Sequence, residues 1–321
     1  MKIHFAYFGD PLNDGSIHTP ETIANRMYRY LEKRAEVQYY NFMDFTTTPD
    51  VAPDDIILGH PHPWPGLFIE RFFKEKCKAR YLIWPLHSRI PEINRFSIPY
   101  AKQADKLFTI SGPYWIDTLS ETEFAFMLPK IIRLDNSVDA NQDIWQLAKK
   151  NFNPKKQRGL FTMGRSGPEK GTTELFKLLS KTNCPLMVAG EFNGDDLNIL
   201  KDRPNTTIIG KMHWWNEQLK ADIINRCDFF VNMSVSDASP TTVLESMALG
   251  LLPITTCECG YTYESFLPFH LGDETYNLNS ISHAQEMEEE ELKLRQVKNR
   301  KLIEEVHNWD RFCSTVWENI Q

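Results

Sequence analysis

The stretch that most constrains this chain is residues 228–254, Asp228-Phe-Phe-Val-Asn-Met-Ser-Val-Ser-Asp237-Ala-Ser239-Pro240-Thr241-Thr242-Val-Leu-Glu245-Ser-Met-Ala-Leu-Gly250-Leu-Leu-Pro253-Ile254. A short apolar run gives way to a polar loop, a helix is expected over residues 240–249, Gly250 stops it, and a second apolar run follows. The pattern is a βαβ unit. Two carboxylates, Asp237 and Glu245, bracket the helix start, and Ser239, Thr241 and Thr242 lie between them. Unpaired backbone N–H groups and the positive end of the dipole make such a start an anion site. An anion flanked by carboxylates that can hold hydroxyls describes a sugar nucleotide. The same residues also fit a plainer reading, with Asp237 as an N-terminal cap and Glu245 as a solvated helix residue.

A second motif lies upstream, at Gly159-Leu-Phe-Thr-Met-Gly164-Arg165-Ser-Gly167-Pro168-Glu169-Lys170-Gly171, followed by a helical run over 172–179. A strand that delivers Gly164, Arg165 and then Lys170 onto a helix start puts two cations where a diphosphate would lie. Alone, it would read as a charged surface turn. Between the two motifs the pattern alternates, with strands at 185–189 and 206–209 and helices at 195–200 and 216–226, joined by short connections.

Together these motifs resemble the retaining glycosyltransferases of the two-Rossmann (GT-B) architecture, family 4 (group 1) in particular. The resemblance implies an α/β fold of two Rossmann-like domains whose parallel sheets face a central cleft, with a C-terminal helix that crosses back to the N-terminal domain. It implies a nucleoside diphosphate sugar as donor, with Glu245 on the ribose, Asp237 against the transferred sugar, and Arg165 and Lys170 on the diphosphate. Gly164, Ser239, Thr241 and Thr242 would line the donor site, and Met212, after Gly210, would pass the base. The family's usual first acid is Glu, so Asp237 is one methylene shorter.

The N-terminal half carries the same alternation. Strands are expected at 3–8, 37–41, 56–59, 80–85 and 106–110, as a doubly wound parallel sheet requires. The first strand is followed by a loop containing Gly15 and Ser16, and then by Thr19-Pro20-Glu21, which opens a helix. That loop has no GxGxxG, so a dinucleotide is not indicated; the resemblance sets Gly15 and Ser16 against donor phosphate or acceptor. Two further loops fall where an open α/β sheet binds ligands. In one stand His60, His62 and Trp64, and in the other His87 and Arg89. The resemblance brings a histidine near the transferred sugar at the second loop, which maps onto His87; an ordinary surface histidine is the alternative. His60, His62, Trp64 and Arg89 are acceptor-side candidates.

Residues 130–139 resemble the family's strand-ending loop before the interdomain connection, and the polar, basic stretch through 151–158 reads as a linker. The expected division is 1–153 for an acceptor-binding domain, 154–306 for a donor-binding domain and 307–321 for the returning helix. A single charged helical run is expected over 280–306.

Composition excludes several classes. At 321 residues two domains are the natural prior, and the net charge of −7 argues against a nucleic-acid partner. Six cysteines without a CxxC pair read as reduced thiols, and no apolar run reaches membrane-spanning length, so a cytoplasmic protein is expected. The chain has no Asp-x-Asp, so neither a metal nor another cofactor is expected. Arg71, Lys74, Lys76, Lys78 and Arg80, around Phe72 and Phe73, allow at most weak docking to an anionic bilayer. The expected partners are therefore a nucleotide sugar and a glycan, lipid-linked or other acceptor. A GT-B nucleotide-sugar epimerase and a non-catalytic sugar-nucleotide-binding protein remain as rival readings.

Overall fold

The computed structural model describes residues 2–13, 19–41, 47–61, 72–85, 98–140, 142–211 and 216–321. The chain divides into two compact units. The first comprises Met1–Ser111, Trp115–Asp135 and Trp309–Gln321, the second Gly112–Tyr114 and Asn136–Asn308.

Among the described residues the first unit is built on a parallel sheet of β1 (Lys2–Tyr7), β2 (Glu36–Asn41), β3 (Ile56–Gly59), β4 (Ala79–Trp84), β5 (Lys106–Ile110) and β6 (Ile131–Leu134), in the order β2-β1-β3-β4-β5-β6. Its helices include α1 (Thr19–Leu31) and, from Trp115 onward, α2 (Pro113–Leu119). Successive side chains of a strand point to opposite faces. Ile3 and Phe5 of β1 and Tyr81 and Ile83 of β4 therefore enter one core, while Ala6, Leu82 and Trp84 enter the other. The chain's last helix closes the first of these cores.

The second unit holds α3 (Gln142–Leu147), β7 (Leu160–Arg165), α4 (Thr172–Ser180), β8 (Leu186–Glu191), α5 (Gly194–Leu200), β9 (Thr206–Ile208), α6 (Glu217–Arg226), β10 (Phe229–Asn232), α7 (Thr241–Ala248), β11 (Leu252–Thr256), β12 (Leu267–Phe269), α8 (Glu274–Glu286) and α9 (Glu289–Glu305). The chain ends in α10 (Trp309–Ile320), whose Phe312, Cys313, Val316 and Ile320 pack with Ile3 and Phe5 in the first unit. The second sheet is also parallel, in the order β12-β11-β10-β7-β8-β9. Along β10, Phe229 and Val231 face one core and Phe230 the other, which is why this strand reads as continuously apolar. Each such buried Phe contributes on the order of 2–3 kcal/mol.

Two features depart from the sequence reading. The expected boundary near residue 154 falls inside the second unit. Asp228, fully buried on that sheet, accepts from the Asn153 backbone N–H and side-chain amide, both at 2.8 Å, and from Gly159 N at 3.1 Å. The buried Lys149 ammonium, 3.1 Å away, neutralises it. Of the basic residues in this stretch, Lys155 and Lys156 stay exposed and Arg158 alone is turned inward. The helical run over 280–306 is two helices, not one. Met287 turns into the core at 3% exposure, and the buried Arg158 guanidinium donates to the carbonyls of Ala284, Gln285 and Met287 at 3.0, 3.2 and 2.7 Å. The end of α8 is held by a side chain distant in sequence, a form of cap that periodicity does not reveal.

Candidate functional site

In an open parallel sheet ligands bind beyond the carboxyl ends of the strands, where the strand order reverses. In the second sheet that point lies between β7 and β10, neighbours in the sheet from which the order runs outward in both directions. The loops that leave these two strands carry the two motifs singled out in the sequence.

β7 ends at Arg165, and a short 3-10 turn, Pro168–Lys170, leads through Gly171 into α4. Gly171 has φ +60°, and a Cβ there would stand 2.0 Å from the Met233 carbonyl oxygen, so no larger residue fits without displacing the β10 loop. The two loops are joined further by Val235 N and Ser236 N, which donate to the Glu169 carbonyl at 2.9 and 3.1 Å. This stitching brings the Lys170 ammonium into direct contact with the Asp237 carboxylate. Arg165 lies at the strand end, with its side chain more than half exposed, and its Nη2 is 2.6 Å from Glu169 Oε1. Over Gly164 there is open space, since an added Cβ would meet nothing within 4 Å. Asp196 braces the loop from behind: its carboxylate accepts from the Ser166 hydroxyl and, at 2.7 Å, from Thr173 Oγ1.

The loop from β10 meets α7 at Pro240, and the helix has no side-chain cap of its own. Thr241 and Thr242 open it, each partly exposed. Glu245 lies one turn beyond Thr241 on the same face. Part of its side chain stays accessible, yet burial pushes its carboxyl up to about 7, with no opposing cation or hydrogen bond among the described residues to bring it back. Ser239 is placed differently from the expectation. It is 7% exposed and its hydroxyl is 2.7 Å from the Tyr261 hydroxyl, so the side chain faces the protein interior and not the open end of the loop.

Other residues at this place gave no sign in the sequence. Gly112 N donates to the Ala238 carbonyl at 2.8 Å, beside Asp237, and a Cβ at Gly112 would approach the Gly260 carbonyl to 1.9 Å. Asn136 donates its side-chain amide to the Ser239 carbonyl at 2.7 Å and to Thr241 Oγ1 at 3.1 Å. Tyr263 and His307 complete the buried cluster, their hydroxyl and Nε2 2.8 Å apart. The partners of Gly112 and Asn136 are more than a hundred residues away and Tyr263 lies 44 from His307, so no local spacing connects them.

The switch point of the first sheet lies between β1 and β3. His60 follows β3 and its ring packs on Tyr7 at 5.2 Å. Its Nδ1 is 2.9 Å from the Ile83 carbonyl, so this nitrogen carries the proton. Gly15, Ser16, His62, Trp64, His87, Arg89 and Met212 lie outside the described residues. Among the described residues no group of three or more His, Cys, Asp or Glu could hold a metal ion, no helix is long and apolar enough to cross a membrane, and all six cysteines are free.

The family described as Glycosyl transferases group 1 matches residues 143–265, inside the second unit. No curated protein matches the sequence. Solved structures do. The lipopolysaccharide outer core galactosyltransferase WaaB in its apo form is similar with a TM-score of 0.72 and 13% identity, over 100% of both chains. HepE of Anabaena in complex with UDP and glucose gives a TM-score of 0.69 and 11% identity, over 100% of this chain and 99% of that one. Sucrose-phosphate synthase from Thermosynechococcus elongatus gives 0.70 and 11%, over 99% and 97%. At such identities the likeness is one of fold. The fold is GT-B, and the match to the glycosyl transferases group 1 family lies within its second unit.

Proposed function

We propose that this protein is a retaining glycosyltransferase of the family 4 kind, which moves a hexose-type unit from a nucleoside diphosphate sugar, with UDP or GDP as the nucleotide, to a glycan, lipid-linked or other acceptor without a metal ion. The observation that carries the reading is the contact of Lys170 with Asp237 at the sheet's switch point, one helix start away from Glu245, whose carboxyl has no partner among the described residues. The HepE structure, solved with UDP and glucose, supports the donor class.

In this reading the diphosphate takes Lys170 from Asp237 and Arg165 from Glu169. Both cations then face the oxygens that gather charge as the sugar leaves, together with the start of α7; this is stabilisation by fixed charges and dipoles. The open space over Gly164 lets the phosphates approach the backbone. Freed from Lys170, Asp237 can hold the transferred sugar, and Glu245 accepts the ribose hydroxyls. The bond from the anomeric carbon to the diphosphate oxygen breaks and the bond to the acceptor oxygen forms on the same face. The acceptor's proton passes to the departing diphosphate. We assign His87 the contact to the transferred sugar, and His60, His62, Trp64 and Arg89 the acceptor. The protein works in the cytoplasm.

Incubation with a panel of UDP- and GDP-sugars, with and without acceptor glycans and lipid-linked sugars, tests this directly. Free diphosphate should appear only with acceptor, and the product should keep the donor's anomeric configuration by proton NMR. A new sugar nucleotide formed without acceptor would replace transfer by epimerisation, and binding without turnover would leave a non-catalytic protein.

A further inference from the structure

We propose that His307 is a positioning residue for the donor site, holding the start of α7 in place through Asn136. The inference rests on the reading of that helix start as part of a nucleoside diphosphate site. His307 Nδ1 is 2.7 Å from the Asn136 carbonyl oxygen. A carbonyl only accepts, so Nδ1 carries a proton whether the ring is neutral or charged, and in the neutral ring Nε2 accepts from the Tyr263 hydroxyl 2.8 Å away. With its backbone fixed, Asn136 turns its side chain toward α7. Its Oδ1 accepts from Ser137 N at 2.9 Å, which settles the orientation of the amide, and its Nδ2 reaches the Ser239 carbonyl and the Thr241 hydroxyl.

The helix needs such an anchor. Pro240 at its cap position has no N–H, and no side chain of the loop caps it. One amide, supplied 103 residues upstream, therefore grips both the residue before the cap and the first residue of the helix. Tyr261 secures Ser239 from the other side and stands edge-on to His307, its ring centroid at 5.7 Å and 89°. Asn136, His307 and Tyr261 are each no more than 2% exposed, so the centre of the cluster is buried, while Tyr263 and Thr241 at its two ends are half-buried. Fully satisfied buried networks fix a single arrangement, and the arrangement fixed here is that of the segment running from Ser239 to Thr241.

Two substitutions separate this role from simple packing. His307→Asn offers an amide N–H where Nδ1 stands and gives up the bond to Tyr263. His307→Gln does the reverse, reaching toward Tyr263 and leaving the Asn136 carbonyl unheld. UDP and GDP are titrated into both, and hydrogen exchange at the amides of Thr242, Val243 and Leu244 is followed in the nucleotide-free proteins. His307→Asn should bind diphosphate within about threefold of the wild type, and His307→Gln about tenfold more weakly, as expected for loss of a hydrogen bond worth about 1 kcal/mol or more. Exchange at the three amides should quicken in His307→Gln only. Equal affinities and equal exchange in the two variants would overturn the proposal. Should His307→Gln fail to fold, Asn136→Asp removes the same anchor without touching the ring; it should show the tenfold loss, and full affinity there would overturn the proposal. A wild-type protein that binds no nucleoside diphosphate would refute the donor-site reading instead, and the exchange comparison would then decide the positioning role alone.

Discussion

At the scale of single residues the site is a set of charges that are paired before any substrate arrives. Lys170 holds Asp237 and Arg165 holds Glu169, so a diphosphate bound as proposed would gain only the difference between its own contacts and those it displaces. Lys170→Ala removes a charge-assisted contact worth about 1.5–3 kcal/mol, which should lower kcat/KM by roughly ten- to hundredfold in a steady-state assay. Arg165→Lys should also lower it, because a planar fork becomes a point charge; normal turnover by both variants would remove the diphosphate from this place. Glu245 makes a separate prediction. Its folded-state carboxyl is raised from 4.5 to about 7, so the folded protein holds this proton more tightly than the unfolded chain does. Stability conferred by the neutral form is therefore lost as pH rises from about 4.5 through 7, and Glu245→Gln should flatten that loss in a series of melting temperatures. In the proposed donor site ribose hydroxyls would donate to the ionised form, so diphosphate sugar affinity should rise from pH 6 to pH 8 in the wild type and stay level in Glu245→Gln.

At the scale of elements two loops and one break in a helix govern the second unit. Gly171→Ala forces a side chain into a left-handed conformation and onto the Met233 carbonyl, at a cost of about 1–3 kcal/mol or more. The stitched loops should part, and activity should fall further than the melting temperature alone accounts for; full activity would show that the loops need not touch. Arg158→Ala leaves three carbonyls at the end of α8 without their donor, and should lower the stability of the second unit by about 3 kcal/mol in a denaturant titration. The strands and helices around these loops were legible in the sequence because their signals are local. The apolar runs ending at Tyr7, Gly59 and Ile110, the Gly-Arg…Lys-Gly turn and the Asp237…Glu245 spacing each lie within one supersecondary unit. What was not legible depends on partners far apart in the chain. Arg158 ends α8 from more than a hundred residues away, Asp228 ties the polar linker pattern to the second unit through Asn153, and Ser239 faces Tyr261 because that hydroxyl waits behind it. Asn136 and His307 stand 171 positions apart, and only the folded unit joins them.

At the scale of the whole molecule a basic segment of this acidic chain has Lys74, Lys76 and Lys78 exposed while Phe72 and Phe73 are buried at 1% and 6%. Those rings are committed to the core, so any bilayer contact by this segment is electrostatic, worth about 1 kcal/mol per cation at low salt. Co-sedimentation with anionic vesicles should be weak, lost in high salt and abolished by Lys74→Glu/Lys78→Glu; binding that survives both would mean apolar insertion elsewhere. The central claim concerns the point where the order of the second sheet reverses, between β7 and β10. It is tested most directly by calorimetric titration of UDP and GDP, each beside its monophosphate, into the wild type and Lys170→Ala. One diphosphate should bind the wild type at least about tenfold more tightly than its monophosphate, and that gap should collapse in Lys170→Ala. Equal binding of mono- and diphosphate, or a gap that Lys170→Ala leaves intact, would contradict it.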